Sequence, residues 1–395
     1  MKINIYGKPY HTFEYYPHTE YTILDIYQQY LFPSFIDYID GQFAIQILQD
    51  DKEIWITDYY GLYPIFYNDI EKKVCINFIQ NMDLEVESKY IDLCKKNLDR
   101  DYYSSLPVHF LNFDDFCFYN KNMLDKKYFL TPWKNWFVLP PRSICIIHNN
   151  KITIESYLFK KETTNSTHDI LVNSIIKTSK QKDNILLALS AGYDTRTLFS
   201  ILQKYNICFD RYTYGIEDEY VTKNLHTYNS IPSFNMCNIS NIVNDNISIM
   251  NGMGDLYVHV HEIFYEIFLK KYDFVYTGDG GNYFLGYENI NIPTIQYAIG
   301  NGHYYKHLSN NINLFLPYAQ KQIIHNKEQK TKQNRIKILL DIIKQNNEEL
   351  LNVPCYTKYL YQNNQVSNFP FLFYYNTKYN YIKKYIKHMK GIDIL

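Results

Sequence analysis

The 395-residue chain predicts two domains of different class: an antiparallel, β-rich half over residues 1–160 and an α/β half with a parallel sheet over residues 168–395. Three observations carry this expectation. Short runs with two-residue alternation recur through the first half between turn residues, as in strands with one buried face. Lys160 to His168 is polar and free of bulky apolar residues, and reads as a linker. Beyond it Ile185-Leu186-Leu187-Ala188-Leu189 is continuously apolar, as in a strand covered on both faces, and strand-like and helix-like segments then alternate.

In the first half the clearest strands are Phe43-Ala44-Ile45-Gln46-Ile47, Ile54-Trp55-Ile56-Thr57 and Ile144-Cys145-Ile146-Ile147. In the second half the Ile185 strand runs through a Gly-containing turn into a helix with Leu198, Ile201, Leu202 and Tyr205 on one face. Further strands are expected at Arg211–Tyr214, Phe234–Ile239 and Phe274–Thr277. Residues 320–350 predict one long amphipathic helix, with Ile336, Leu339, Leu340 and Ile343 on its apolar side and a solvated charged face.

Composition narrows the function. Hydrophobic residues are 46% and charged residues 21%, which excludes a disordered or fibrous chain. Forty Lys and Arg against 41 Asp and Glu leave a net charge of −1, so no overall field draws the chain to nucleic acid or to an anionic membrane. No apolar run approaches the roughly 18 residues of a membrane span, and the first residues lack the apolar core of a signal peptide. The seven cysteines are scattered, with no C-x-x-C pair, which points to buried thiols in a reducing, cytoplasmic setting rather than to zinc or disulfides. The 42 tyrosines follow no repeat period and suggest no mechanism by themselves.

Two loops carry chemistry. Ser190-Ala191-Gly192-Tyr193-Asp194-Thr195-Arg196 follows a buried strand and opens a helix. Small residues let backbone approach a phosphate, the helix start offers N–H groups and partial positive charge, the Ser190 and Thr195 hydroxyls can donate, and Asp194 can hold Mg²⁺ against phosphate oxygens. No Gly-Lys-[Ser/Thr] is present, so this is not a Walker A loop. The alternative is a plain strand-to-helix turn with Asp194 as N-cap. About 85 residues on, Thr277-Gly278-Asp279-Gly280-Gly281-Asn282-Tyr283-Phe284-Leu285-Gly286-Tyr287 follows another apolar strand. There Asp279 can act as a base or metal ligand and Asn282 as a neutral ligand; otherwise the segment is a Gly-rich turn. In a parallel sheet both loops can leave the carboxyl ends of strands, where α/β proteins bind ligands.

Together these segments resemble the asparagine synthetase family of ATP pyrophosphatases, whose PP-loop reads Ser-Gly-Gly-x-Asp-Ser and whose later segment reads Gly-x-Gly-x-Asp and ends in Phe-x-Gly-Tyr. Phe209–Glu219 resembles the family strand whose glycine, here Gly215, marks the adenine region, and Asn368-Phe369-Pro370-Phe371-Leu372 resembles its Pro-Phe-Leu segment. Asp40-Gly41-Gln42-Phe43-Ala44, Asp58–Tyr67, Leu139-Pro140-Pro141 and Tyr157 resemble its glutamine-hydrolysing domain. The resemblance implies an N-terminal antiparallel β-sandwich of the N-terminal-nucleophile (Ntn) type and a C-terminal ATP-pyrophosphatase domain. It places ATP on Ser190, Ala191, Gly192, Tyr193, Asp194, Thr195, Gly215 and Gly278, Mg²⁺ on Asp194 with Asn282 as a weaker second ligand, and the catalytic base at Asp279.

The departures refine this. Residue 2 is Lys2 where the family's glutaminase has Cys, so no glutamine hydrolysis is expected. That absence also marks the β-lactam synthetases and lasso-peptide cyclases, which adenylate a carboxylate and close it with an amine. Ala191 replaces a Gly, Thr195 a Ser, and Asn282 the family's Mg²⁺-binding Asp; Asp279 stands at a variable Glu, Tyr or His. Only 23 residues follow Leu372 (395 − 372), and Lys383, Lys384, Lys387 and Lys390 match no family lysine motif. Arg196 either reaches phosphate or lies at the surface, and His259-Val260-His261-Glu262 lacks the spacing of a metal site. The reading is an ATP-dependent, AMP-forming amide ligase acting on a small-molecule or peptide carboxylate and an amine donor, alone, as a homo-oligomer or with a protein partner. The alternatives are a non-catalytic nucleotide-binding or regulatory relative, and an asparagine synthetase supplied by ammonia or glutamine.

Overall fold

A computed structural model describes residues 1–77 except 31, the backbone of 117–119 and 127–130, residues 131–159 except 132, 163–180, 184–212 except 191, 272–285, 313–326 and 332–353, together with 85, 87, 88 and 306. The expected strand at Phe234–Ile239, the segments at His259–Glu262 and Asn368–Leu372, and the C-terminal lysines lie outside the described residues.

The first half builds two antiparallel sheets. Its elements are β1 (Lys2–His11), α1 (Glu20–Gln29), β2 (Ile39–Gln49), β3 (Lys52–Thr57), β4 (Phe66–Asn68), β5 (Lys73–Cys75), β6 (Cys117–Tyr119), β7 (Lys127–Leu130), β8 (Trp136–Val138), β9 (Ser143–His148) and β10 (Lys151–Ser156). One sheet has the order β1-β2-β3-β9-β10, the other β5-β4-β8-β7-β6. β1 pairs with β2 from Lys2 opposite Leu48 to His11 opposite Ile39. One face of the first sheet, with Ala44, Trp55 and Cys145, packs on Tyr67 of the second and on Leu139 just after β8. The other face, with Ile45, Ile47, Ile54, Ile56 and Ile144, joins a core that includes Ile23 and Ile26 of α1. Burial on both faces explains why a segment such as Ile54-Trp55-Ile56 is apolar throughout.

The second half comprises α2 (Thr167–Ser179), β11 (Ile185–Ala188), α3 (Tyr193–Lys204), β12 (Asp210–Tyr212), β13 (Phe274–Thr277), α4 (Gly281–Phe284), β14 (Leu314–Phe315), α5 (Lys321–Ile324) and α6 (Lys332–Asn347). Its strands form a parallel sheet ordered β12-β11-β13-β14. The mixed content, antiparallel sheets followed by a parallel one, agrees with a two-domain α/β protein. Among the described residues no helix is long and apolar enough to cross a membrane.

Three expectations are corrected. The polar stretch expected to be a linker already contains the start of α2: Ser166 Oγ accepts the Asp169 N–H at 3.1 Å, and Asp169 Oδ2 accepts the Ser166 N–H at 3.3 Å, a reciprocal cap that makes polar residues good helix starters. The single helix expected over 320–350 is two, α5 and α6. α5 is wholly buried, Lys321 included, and in α6 Leu339 and Ile343 are buried while Ile336 is exposed. On α3, Leu198, Ile201 and Leu202 are buried as expected, but Tyr205 caps the helix and is exposed.

The two halves are joined through α5. Lys321 donates its backbone N–H to Asp40 Oδ2 at 2.8 Å and its ammonium to the carbonyls of Ile36 and Ile39. The rings of Tyr59, Tyr157 and Phe159 surround that ammonium, each 5.8 Å from Nζ. Tyr60 donates its hydroxyl to the Gln320 carbonyl at 2.8 Å, and Tyr59 Oη lies 2.6 Å from His325 Nε2. Burial pushes the Asp40 carboxyl up to about 6 and the Lys321 amine down to about 8, each opposed by the other's charge.

Candidate functional site

The register of the parallel sheet makes the site. Ala188, the last residue of β11, pairs with Thr277, the last of β13. The loops that follow, 189–192 and 278–280, therefore leave neighbouring strands at the same edge. From β11 the chain passes to β12 on one side, and from β13 to β14 on the other. The crevice between β11 and β13 is thus the point where strand order reverses, the usual ligand position in open α/β sheets.

The first loop is knitted by its own hydroxyls. Thr195 Oγ1 accepts the Ser190 N–H and donates to the Ser190 carbonyl, both at 3.0 Å, and lies 3.0 Å from Ser190 Oγ. Ser190 Oγ accepts the Gly192 N–H at 3.2 Å. Thr195 is buried and Ser190 half-buried, so these side chains shape the loop as well as lining it. Gly192 is the N-cap of α3 and makes no side-chain cap bond, which leaves the first-turn N–H groups without a side-chain acceptor from the cap. The N-cap is thus Gly192, not Asp194.

The second loop lies directly on the first. A Cβ at Gly278 would sit 2.5 Å from Thr195 Cγ2 and 2.8 Å from the Thr195 backbone nitrogen. A Cβ at Gly281 would sit 2.3 Å from Asp194 Oδ1. At Gly278 a side chain would meet the backbone of α3, and at Gly281 it would displace the Asp194 carboxyl, a reason for glycine beyond turn geometry. Phe284 of α4 packs against the Tyr60 ring with centroids 4.4 Å apart, so the antiparallel half buttresses this loop.

Asp194 is the meeting point. Its carbonyl accepts the Tyr318 hydroxyl at 2.6 Å, and its Oδ1 lies 3.3 Å from Arg335 Nη1 of α6. Burial pushes its carboxyl up to about 6; Arg335 pulls it down and the charge of Asp279 adds to the rise. Asp279 itself is exposed just beyond the end of β13, its N–H held by Thr277 Oγ1 at 3.2 Å. Among the described residues no group of three or more His, Cys, Asp or Glu side chains could hold a metal. Asp194 nonetheless fits Mg²⁺ brought in by a phosphate, because this hard cation can take a single protein carboxylate and fill its shell with phosphate oxygens and water.

Of the residues expected at the site, Ser190, Gly192, Tyr193, Asp194, Thr195, Gly278 and Asp279 converge at this edge. Ala191 and Gly215 lie outside the described residues, and of Asn282 only the backbone, in α4, is described. Arg196 is not at the surface: it is fully buried, lies over the Tyr193 ring at 5.2 Å and donates to the carbonyls of Leu350, at 3.3 Å, and Val353. Two residues were missed. Tyr318 carried no local signal among 42 tyrosines, and Arg335 sat on a helix face read as solvated. A scan against protein-family models finds no match to this chain, and a search of curated proteins finds no significant one.

Proposed function

We propose that the chain is an ATP-dependent, AMP-forming ligase that adenylates a carboxylate and passes the acyl group to an amine. The observation that carries this reading is the pairing of Ala188 with Thr277, which brings the Ser190–Thr195 loop and the Gly278–Asp279 loop together at the switch point of a parallel sheet. The resemblance of both loops to those of the asparagine synthetase family supports it. So does the succession of antiparallel sheets and a parallel sheet, which is compatible with the two-domain arrangement that the resemblance implies.

In this reading the loop N–H groups and the N-terminus of α3 receive the β- and γ-phosphates of ATP. Asp194 would hold Mg²⁺, which would neutralise charge on the leaving pyrophosphate. The substrate carboxylate oxygen attacks the α-phosphorus and pyrophosphate leaves, giving an acyl-adenylate. The amine nitrogen then attacks the acyl carbon, Asp279 takes its proton, and AMP departs with the bonding electron pair. Tyr60 and Lys321 of the junction are positioning residues, because they hold the second loop and the segment that carries Tyr318.

The test is exchange of labelled pyrophosphate into ATP by the purified chain with Mg²⁺ and a panel of amino-acid and peptide carboxylates. Exchange that depends on one carboxylate class is expected. Absence of both exchange and ATP binding overturns the reading.

A further inference from the structure

Arg335 stands where an incoming cation would have to go. α6 lies beside α3 and runs in the same direction: Arg335 meets Asp194 at one end, and ten residues further along both helices (345 − 335 and 204 − 194) Lys204 Nζ donates to the Gln345 carbonyl at 2.7 Å. Asn347 also donates to Gln203 Oε1 at 2.9 Å, so α6 is fixed at its far end and delivers Arg335 to the start of α3. The ion pair is a single contact, Nη1 to Oδ1 at 3.3 Å, with the two side chains 18% and 20% exposed. Among the described residues this is the one polar contact of a group that carries five donors. A half-buried guanidinium held by one long bond is suited to leave a carboxylate for a phosphate, which it can bind in two-pronged fashion.

We propose that Arg335 is a placeholder cation that makes metal binding at Asp194 depend on phosphate. In the ligand-free site the guanidinium neutralises Asp194 and opposes a lone divalent ion. A metal–phosphate complex offers both exchanges at once: the metal replaces the guanidinium on Asp194, and the phosphate oxygens take the guanidinium. The site then admits the metal–polyphosphate unit and rejects the free metal. This rests on the nucleotide-binding reading above and adds to it the order in which the charges are exchanged.

The experiment is calorimetric titration of the full chain, native, Arg335→Gln and Arg335→Lys, with Mn²⁺ alone and with pyrophosphate in excess Mg²⁺. Removing the charge in Arg335→Gln is expected to tighten Mn²⁺ alone and to weaken Mg²⁺–pyrophosphate, each by about tenfold or more, the worth of one charge-assisted contact. Arg335→Lys keeps the charge and is expected to stay within about threefold of the native chain on Mn²⁺ alone, with an intermediate loss on pyrophosphate. Effects of opposite sign on the two ligands cannot come from a damaged fold. If the native chain binds Mg²⁺–pyrophosphate and Arg335→Gln does not shift the two ligands in opposite directions, the placeholder role is overturned and the nucleotide site stands. If the native chain binds neither Mg²⁺–pyrophosphate nor Mg²⁺–ATP, both fall.

Discussion

Asp194, in the first turn of α3, and Asp279, on the loop after β13, receive different environments from the same fold. Asp194 is pressed against Gly281 and paired with Arg335, whereas Asp279 is exposed. The first suits a fixed anion that meets charge, the second a base that reaches a diffusing amine. Asp279→Asn is therefore expected to leave pyrophosphate exchange within about threefold of native while amide formation falls by about a hundredfold, the usual worth of general-base catalysis. Comparing exchange with product formation checks this; equal losses in both would remove Asp279 from the second step. His18 carries a prediction of another kind. Its Nε2–H donates to the Tyr38 carbonyl at 3.2 Å, and burial pushes its pKa from the ordinary 6.5 down to about 4, with His11 and Lys321 adding repulsion. Between those values the unfolded chain binds the His18 proton and the folded chain does not, so the stability contributed by His18 falls as pH drops from about 6.5 to about 4, while the raised carboxyls of Asp40 and Asp194 act in the opposite direction. His18→Gln is expected to lose this slope, which integrates to roughly 3 kcal/mol. Chemical denaturation of both proteins at several pH values measures it, and parallel pH profiles would contradict it.

At the scale of elements, β11 and β13 and the loops after them were legible because fully buried parallel strands are apolar without interruption, and because Gly-rich turns stand out after them. The start of α2 was also legible, in Ser166-x-x-Asp169, but the polar residues that cap a helix are those that make linkers, and composition favoured the linker. The break between α5 and α6 was not: it shows only in the fold, where α5 is bound by the other half of the molecule and Asn326 just after it bridges to Thr163. Nor could the sequence pair Asp194 with Arg335, which are 141 positions apart, when Arg335 lies among lysines of the same charge. The contact between the two loops is itself testable. Gly278→Ala forces a methyl into the Thr195 backbone, so it is expected to cost about 1 to 3 kcal/mol, as overpacking does, and to weaken ATP binding. Thermal unfolding and calorimetry check both, and an unchanged variant would mean that the loops are not in contact.

For the molecule as a whole, tyrosine turns out to be a structural device. Tyr59 and Tyr60 bring hydroxyls to the buried junction at His325 and Gln320, Tyr276 places its hydroxyl 2.6 Å from Thr178 and 2.8 Å from Ser179, and Tyr318 reaches the site. Each fills space as an aromatic and satisfies a polar partner at its tip. The buried ammonium of Lys321 is a strong constraint at this scale, since removing it leaves the Ile36 and Ile39 carbonyls without their donor and takes the opposing charge from buried Asp40. Lys321→Met is expected to destabilise by about 3 to 5 kcal/mol, with part of the loss recovered in the double variant with Asp40→Asn. Urea unfolding of the set measures the coupling, and a single variant as stable as the native chain would contradict the junction. Because the segment from Tyr318 to Gln322 joins the junction to the site, the same variant is expected to weaken nucleotide binding.

The central claim is that Asp194, between the two loops, holds the metal of a metal–nucleotide complex. Calorimetric titration with ATP in excess Mg²⁺, native chain against Asp194→Asn, tests it most directly. The account predicts saturable binding by the native chain that requires Mg²⁺, and an affinity at least about tenfold lower in Asp194→Asn, which keeps the shape but loses the charge that a hard cation needs. No binding by the native chain, or equal binding by both, would contradict it.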